Sequence, residues 1–383
     1  VTDQGLEAAM TGTDGARVAA VADAERSWRE ALAAGLVGRS KDPLNCEVEP
    51  EMLGGETAAD GQFFRRNHFP MPVLDPASWR LHVSGLVRRP LALSLGELRS
   101  LPPVSVTVTL ECAGNGRTSF SPAVPGERWD LGAVSTATWT GPRLADVLDR
   151  AKIRPGAREV IFRGADGGPL PELPGPVQFE RSLPVPDAAH PDALLAYEMN
   201  GEPLPVAHGF PVRLVVPGWY AVASVKWLTD IVVTDEPFDG FFQDTHYVYE
   251  WRRHGRRERE PVRWQRVRAM ITSPAAGQRV PGPDFTVRGV AWSGMAPVSL
   301  AEVRADAAGA PALAAWQPAR LTGRPSRYGA RRWQLRLRGV PAGPVRLQAR
   351  AADTAGNDQR EAPEWNALGY GGNFVHEVQI EAG

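Results

Sequence analysis

Val106-Thr-Val-Thr-Leu-Glu-Cys-Ala-Gly-Asn-Gly-Arg117 is the stretch whose reading decides the fold. Alternating β-branched residues from Val106 to Leu110 predict a strand, and its end delivers one cysteine into a glycine-broken turn. A cysteine at the end of a core strand is most often simply buried. Here a thiol, two glycines, an amide and an arginine fall within six residues. That grouping offers a soft metal ligand, backbone that can approach a cofactor closely, and a fixed positive charge beside it.

Working outward, 383 residues are too many for one ordinary core, so two or three domains are expected. Gly 39 and Pro 35 together favour many turns, short strands and few long helices. A formal net charge of -1 gives no electrostatic case for nucleic acid or an anionic membrane. The sequence contains no apolar run of membrane-span length and no charged leader with an apolar core, which leaves a soluble protein of open compartment, cytoplasmic or periplasmic. Two cysteines, Cys46 and Cys112, make no disulfide framework and share no zinc-like spacing; Cys46 reads as structural.

Upstream, residues Thr13 to Leu36 predict a peripheral helix, followed by an extended Pro/Gly-rich arm from Pro50 to Gly61. Phe63-Phe-Arg-Arg-Asn-His-Phe-Pro70 crowds charge and aromatic rings before prolines, which makes a rigid extended segment. Trp79 to Gly85 predicts a strand and Leu95 to Leu101 a short helix. Downstream, Leu144 to Ala151 predicts a helix, and Glu159 to Gly164 a strand running into an Ala165-Asp-Gly-Gly168 turn. Leu194 to Pro205 reads as strand and turn, followed by His208-Gly-Phe-Pro-Val-Arg213 and Ser224-Val-Lys226, with Lys226 on the next strand. Lone His, Lys, Trp or Tyr residues are usually structural or solvated. Arg252 to Glu260 reads as a solvated linker, since Glu258 and Glu260 interrupt its positive run. From Val267 to Glu381 the texture becomes short alternating strands between Gly/Pro turns: Phe285 to Val290, Val298 to Ala305, Trp333 to Leu337, Val345 to Ala352 and Val375 to Ile380. That pattern predicts an antiparallel sandwich of immunoglobulin type.

Leu110-Glu-Cys-Ala-Gly-Asn-Gly-Arg117, Arg66-Asn-His68, the Leu194 to Lys226 stretch and Trp365-Asn-Ala-Leu-Gly369 resemble the sulfite oxidase family, from about Lys41 onward. The resemblance implies an α+β chain: a helical leader over 1–40, a mixed α/β molybdopterin-binding domain over 41–262, and an immunoglobulin-like dimerisation domain over 263–383. It implies that the Cys112 thiolate binds molybdenum, that Arg66 and Arg117 line an anion pocket, and that Trp129 walls it. Tyr247 would turn its hydroxyl to the metal's oxo group, with Tyr249 the off-register alternative. Phe64, Arg65, Arg66, Asn67, His68, Asp166, His208, Arg213, Ser224, Val225 and Lys226 would cradle the pterin.

Two departures bear on substrate. Gly116 stands where many relatives carry a second arginine, and Leu368 where eukaryotic members carry a substrate-binding one. The implied activity is oxidation of sulfite, or a similar small oxyanion, in a homodimer. No Cys-x-x-Cys-His haem attachment is present, so the electrons would pass to an external acceptor such as a cytochrome. The alternatives are a related molybdenum oxidoreductase acting on nitrate, a sulfoxide or another sulfur compound, and a non-catalytic interaction protein that keeps the fold.

Overall fold

The computed structural model of the chain describes residues 24–59, 61–361 and 364–383. Strands dominate, and the helices are few and short. Of the helix expected over Thr13 to Leu36, the part before residue 24 lies outside the described residues, and residues 24–33 are helical (α1). The chain then forms a hairpin of β1 (Val37–Ser40) and β2 (Asn45–Glu47). The expected extended arm contains a 3-10 helix, Pro50–Gly54, with proline at its start, where a missing N–H costs nothing.

The deciding stretch forms β5 (Pro103–Glu111), paired antiparallel with β6 (Val134–Pro142). Its alternation sets two faces. Val108 and Leu110 are buried. On the other face, hydroxyl pairs cross the ladder: Ser105 with Thr140 at 2.8 Å, Thr107 with Thr138 at 2.9 Å, and Thr109 with Thr136 at 2.7 Å. This pairing satisfies the polar groups and fixes the register that aims Cys112.

A five-stranded sheet lies alongside, in the order β4 (Leu91–Ser94), β3 (Arg80–Gly85), β13 (Leu228–Thr234), β7 (Glu159–Pro169), β8 (Pro176–Pro184). β13 runs parallel to β3 and antiparallel to β7. Helix α2 (Leu95–Arg99) is started by a capping box, in which Ser94 accepts from the Glu97 N–H and the Glu97 carboxylate accepts from the Ser94 N–H. Helix α3 (Leu144–Ala151) buries Leu144, Val147, Leu148 and Ala151, the i, i+3, i+4, i+7 face of its amphipathic sequence.

The turn expected at Ala165–Gly168 is instead a continuation of β7. The pairing with β8 breaks between Arg163 and Gly167, and Asp166 sits in that bulge. A bulge re-aims one side chain without ending the strand. The expected linker over Arg252 to Glu260 is instead a hairpin of β14 (Val248–Arg253) and β15 (Arg256–Pro261). His254 and Gly255 both hold positive φ at its tip, the backbone a two-residue hairpin turn requires.

Beyond residue 263 two sheets face each other. One has the order β16 (Arg268–Ser273), β18 (Phe285–Trp292), β22 (Arg331–Leu337), β21 (Arg320–Thr322). The other has the order β17 (Arg279–Val280), β24 (His376–Ala382), β23 (Gly343–Asp353), β19 (Val298–Ala307), β20 (Gln317–Pro318). Val287 and Trp333 from the first share one apolar core with Val303, Leu347 and Ile380 from the second. The strands fall where the alternating sequence placed them. No described helix is long and apolar enough to cross a membrane.

Candidate active site

Cys112 is the first residue beyond β5 and is 5% exposed. Its N–H donates to the Ala133 carbonyl at 2.8 Å, and its own carbonyl accepts from the Asn115 N–H at 2.9 Å. The Asn115 side chain locks the turn, donating to Glu111 at 3.0 Å and accepting from the Ala133 N–H at 3.1 Å. Glu111 in turn forms a buried ion pair with Arg268 at 2.9 Å and accepts from the Trp292 indole at 2.9 Å. The loop that carries the thiol is thus bolted to β16 and β18. Burial pushes the Cys112 thiol up, and Arg66 and the Gly114 N–H act against that. Bound to a metal, it would be a thiolate.

A cavity opens beside the thiol. Its lining brings together Phe64, Arg65, Arg66, His68, Cys112, Asp166, His208, Arg213, Ser224, Lys226 and Tyr247 from segments spread over 184 positions of the chain, 64 to 247. Arg66 donates to Asn45 at 3.3 Å and to the Asn67 carbonyl. Arg65 donates to the Ser27 carbonyl of α1 at 2.6 Å. Lys226 lies ahead of β13, in the loop rather than on the expected strand, and donates to Asn67 and to the Ala207 carbonyl. Arg213, the first residue of β12 (Arg213–Val215), donates to the carbonyls of His208 at 3.1 Å and Ser224 at 2.9 Å. Its guanidinium lies 4.7 Å from the Trp139 ring centroid. Such backbone anchoring holds cations in place without neutralising them.

Electrostatics set this cavity apart. Burial pushes the Asp166 carboxyl up to about 7, with Lys226 acting against it. Burial drives the Lys226 ammonium well down, aided by Arg213 and opposed by Asp166. His68 and His208 are held well below their ordinary value by burial and by neighbouring cations. Arg65 Nε, Asn67 Nδ2 and Asp166 Oδ1 are buried without a partner. Two donors and one acceptor left unpaired around a cationic cavity suit a polar, anionic ligand with both amide-like edges and phosphate. A phosphorylated pterin is such a ligand, so the residues present fit that group. Among the described residues no group of three or more His, Cys, Asp or Glu could hold a metal ion by itself.

Four expected residues lie outside the lining. Asn67 acts through Lys226 and Asn45. Val225 is buried in the main core. Trp129 is fully buried in the apolar cluster that also contains Cys112. Arg117 donates to the carbonyls of Glu127 at 3.0 Å and Leu368 at 3.1 Å, and packs 4.9 Å from the Tyr370 ring centroid. Tyr249, the off-register alternative, is 7% exposed, lines no part of the cavity and packs under Arg266. Sequence reasoning missed Asn45, Phe179, Arg181 and Tyr370. Phe179 lines the cavity and stacks on His68, and Tyr370 stacks on Tyr247 at 5.0 Å. None has a local signal, because each matters through a partner far away in the chain. At Gly116 the backbone is left-handed (φ 81), and an added Cβ would lie 2.9 Å from the Arg268 guanidinium. The missing second arginine is therefore disfavoured here by both backbone and space.

The family described as "Oxidoreductase molybdopterin binding domain" matches residues 68–242. Chicken sulfite oxidase is 37% identical over 356 residues, covering 88% of this chain and 75% of that protein. This chain belongs to the sulfite oxidase family. Human mitochondrial sulfite oxidase is 38% identical over 362 residues, and the chain spans 65% of that relative's length. Among solved structures, the sulfane dehydrogenase SoxCD of Paracoccus pantotrophus superposes with a TM-score of 0.78 at 25% identity, over 89% of this chain and 85% of that one. The family's molybdopterin-binding domain thus includes the cavity residues from His68 to Lys226.

Proposed function

We propose that this chain oxidises sulfite to sulfate with a molybdenum–molybdopterin cofactor and passes two electrons to an external acceptor. The observation that carries the reading is one cavity where a buried thiol, a guanidinium and a histidine–tyrosine pair meet a set of pterin-compatible cations. Arg65, His208, Arg213 and Lys226 would hold the pterin and its phosphate, Asp166 its polar edge and Cys112 the metal, with Asn67 positioning Lys226. When bound, the molybdenum centre supplies the two-electron redox change and the transferable oxygen. Arg66 would orient the anion by charge-assisted hydrogen bonds. Tyr247 and His68 would hold or relay a proton at the phenol oxygen. Phe64 and Phe179 line the cavity and would keep water from its wall.

The test is sulfite-dependent reduction of ferricyanide by protein whose molybdenum has been assayed. Turnover proportional to metal supports the reading, and metal-loaded protein silent toward sulfite defeats it. A second reading has one observation in its favour. Of the two arginines expected to line the anion pocket only Arg66 lines the cavity, while Arg117 is committed to backbone and ring contacts. A less charged sulfur compound, or nitrate, would then replace sulfite.

We further propose the division into a leader (1–40), a catalytic domain (41–262) and an immunoglobulin-like domain (263–383) that pairs two copies. The two facing sheets and the exposed Trp264 and Met295 support that pairing.

A further inference from the structure

Arg181, on β8, is 1% exposed and makes no ion pair among the described residues. Its guanidinium instead donates to two backbone carbonyls, Nη1 to Phe242 and Nη2 to Val262 at 3.2 Å, and its Nε has no partner. Those two carbonyls bracket Tyr247. Phe242 belongs to the π-helical turn Phe241–Thr245 that leads into it. The Val262 N–H donates to the Tyr247 carbonyl at 2.7 Å. Tyr247 holds a φ of 57, a left-handed backbone that a tyrosine keeps only where its surroundings enforce it.

Phe179 lies two residues earlier, on the same face of β8, and its ring stacks on His68 at 4.9 Å. One strand face therefore seats both members of the His68–Tyr247 pair. Burial pushes Arg181 down to about 10, so it stays charged at neutral pH. A buried cation without a carboxylate is costly, and an anion bound nearby offsets that cost.

We infer that Arg181 is a positioning residue that grips the backbone on both sides of Tyr247, fixes the phenol against His68, and favours an anion in the cavity from behind. This rests on the sulfite-oxidising reading. The two functions separate chemically. A lysine keeps the charge but cannot span two carbonyls, because it lacks the planar fork.

The experiment compares holoenzyme carrying Arg181→Lys or Arg181→Met, each alone and combined with Tyr247→Phe, by sulfite–ferricyanide kinetics and sulfate inhibition. Arg181→Lys is expected to lower kcat about tenfold while leaving the sulfate inhibition constant within about threefold of wild type. Arg181→Met is expected to lower kcat at least as far and to weaken sulfate about tenfold. In the Tyr247→Phe background neither should lower kcat further, since the positioned group is already gone. A full additional loss in that background, or wild-type behaviour of Arg181→Met, overturns the inference. Wild-type protein without sulfite turnover would instead sink the underlying reading. Amide exchange over residues 241–262 of cofactor-free protein then decides for Arg181. Faster exchange in Arg181→Lys supports the grip, and unchanged exchange refutes it.

Discussion

The Tyr247 hydroxyl lies 2.7 Å from Nε2 of His68, joining residues 179 positions apart at the wall of one cavity. Burial drives the phenol well up, and burial together with Arg66 keeps the imidazole neutral near pH 7. A neutral imidazole against a phenol can donate or accept the shared proton, which is the geometry the proposed proton transfer needs.

Removing the phenol oxygen should therefore slow turnover more than it weakens binding. For Tyr247→Phe we expect kcat to fall by about a hundredfold, with a smaller change in KM. Because His68 is held below its ordinary value, the acid limb of the wild-type pH–rate profile should lie below about pH 6.5. Stopped-flow kinetics across pH would check both, and an unchanged kcat in the variant would remove Tyr247 from the chemistry.

The two cysteines should behave oppositely toward metal. Cys112 faces the cavity, whereas Cys46 is fully buried in the N-terminal apolar cluster and burial pushes its thiol up to about 11. Cys112→Ser should lose most of its molybdenum and Cys46→Ala should keep it. Metal analysis of protein made in a cofactor-competent host reads the difference directly. Equal metal in both variants would dismiss Cys112 as the ligand.

Asp166 gives a pH signature for stability in the cofactor-free protein. Its folded pKa is raised to about 7 from an ordinary 3.8, chiefly by burial. The folded state then holds a proton that the unfolded chain releases. The resulting stabilisation is complete below about pH 4 and is lost as pH rises through about 7. His68 and His208 carry the opposite slope, so the comparison must be made against a variant. Wild type minus Asp166→Asn should show a melting-temperature advantage that shrinks between about pH 4 and 7. A flat difference curve would contradict the assignment.

Glu111 and Arg268 form an ion pair that is at most 3% exposed on either side chain. Removing one member strands the other. Arg268→Met should cost about 3–5 kcal/mol in urea unfolding, whereas replacing both partners by apolar residues should cost much less. Since Glu111 precedes Cys112 and contacts Asn115, the single variant should also lose cofactor more readily. Equal stability of the single and double variants would refute the argument.

The sequence was most legible where the physics is local. Alternation of apolar and polar residues placed β5, α3 and the strands from Phe285 onward, since strand and helix faces repeat within a few residues. It failed at Asp166, where a bulge looks like a turn, because glycine and aspartate serve both equally well. It failed again at Arg252 to Glu260. Charge there implied a linker, yet each strand found a partner across a His–Gly turn.

By itself the sequence determined the strand-rich plan, the thiol at the end of β5 and the resemblance that named the family. The tertiary structure alone decided which residues converge. It turned Arg117 toward Leu368 and Tyr370, set Arg181 behind Tyr247, and brought Asn45 to Arg66. The physical reason is one of range. Periodicity is written in neighbouring residues, whereas a contact across 179 positions depends on how whole sheets pack, and nothing near either residue records it.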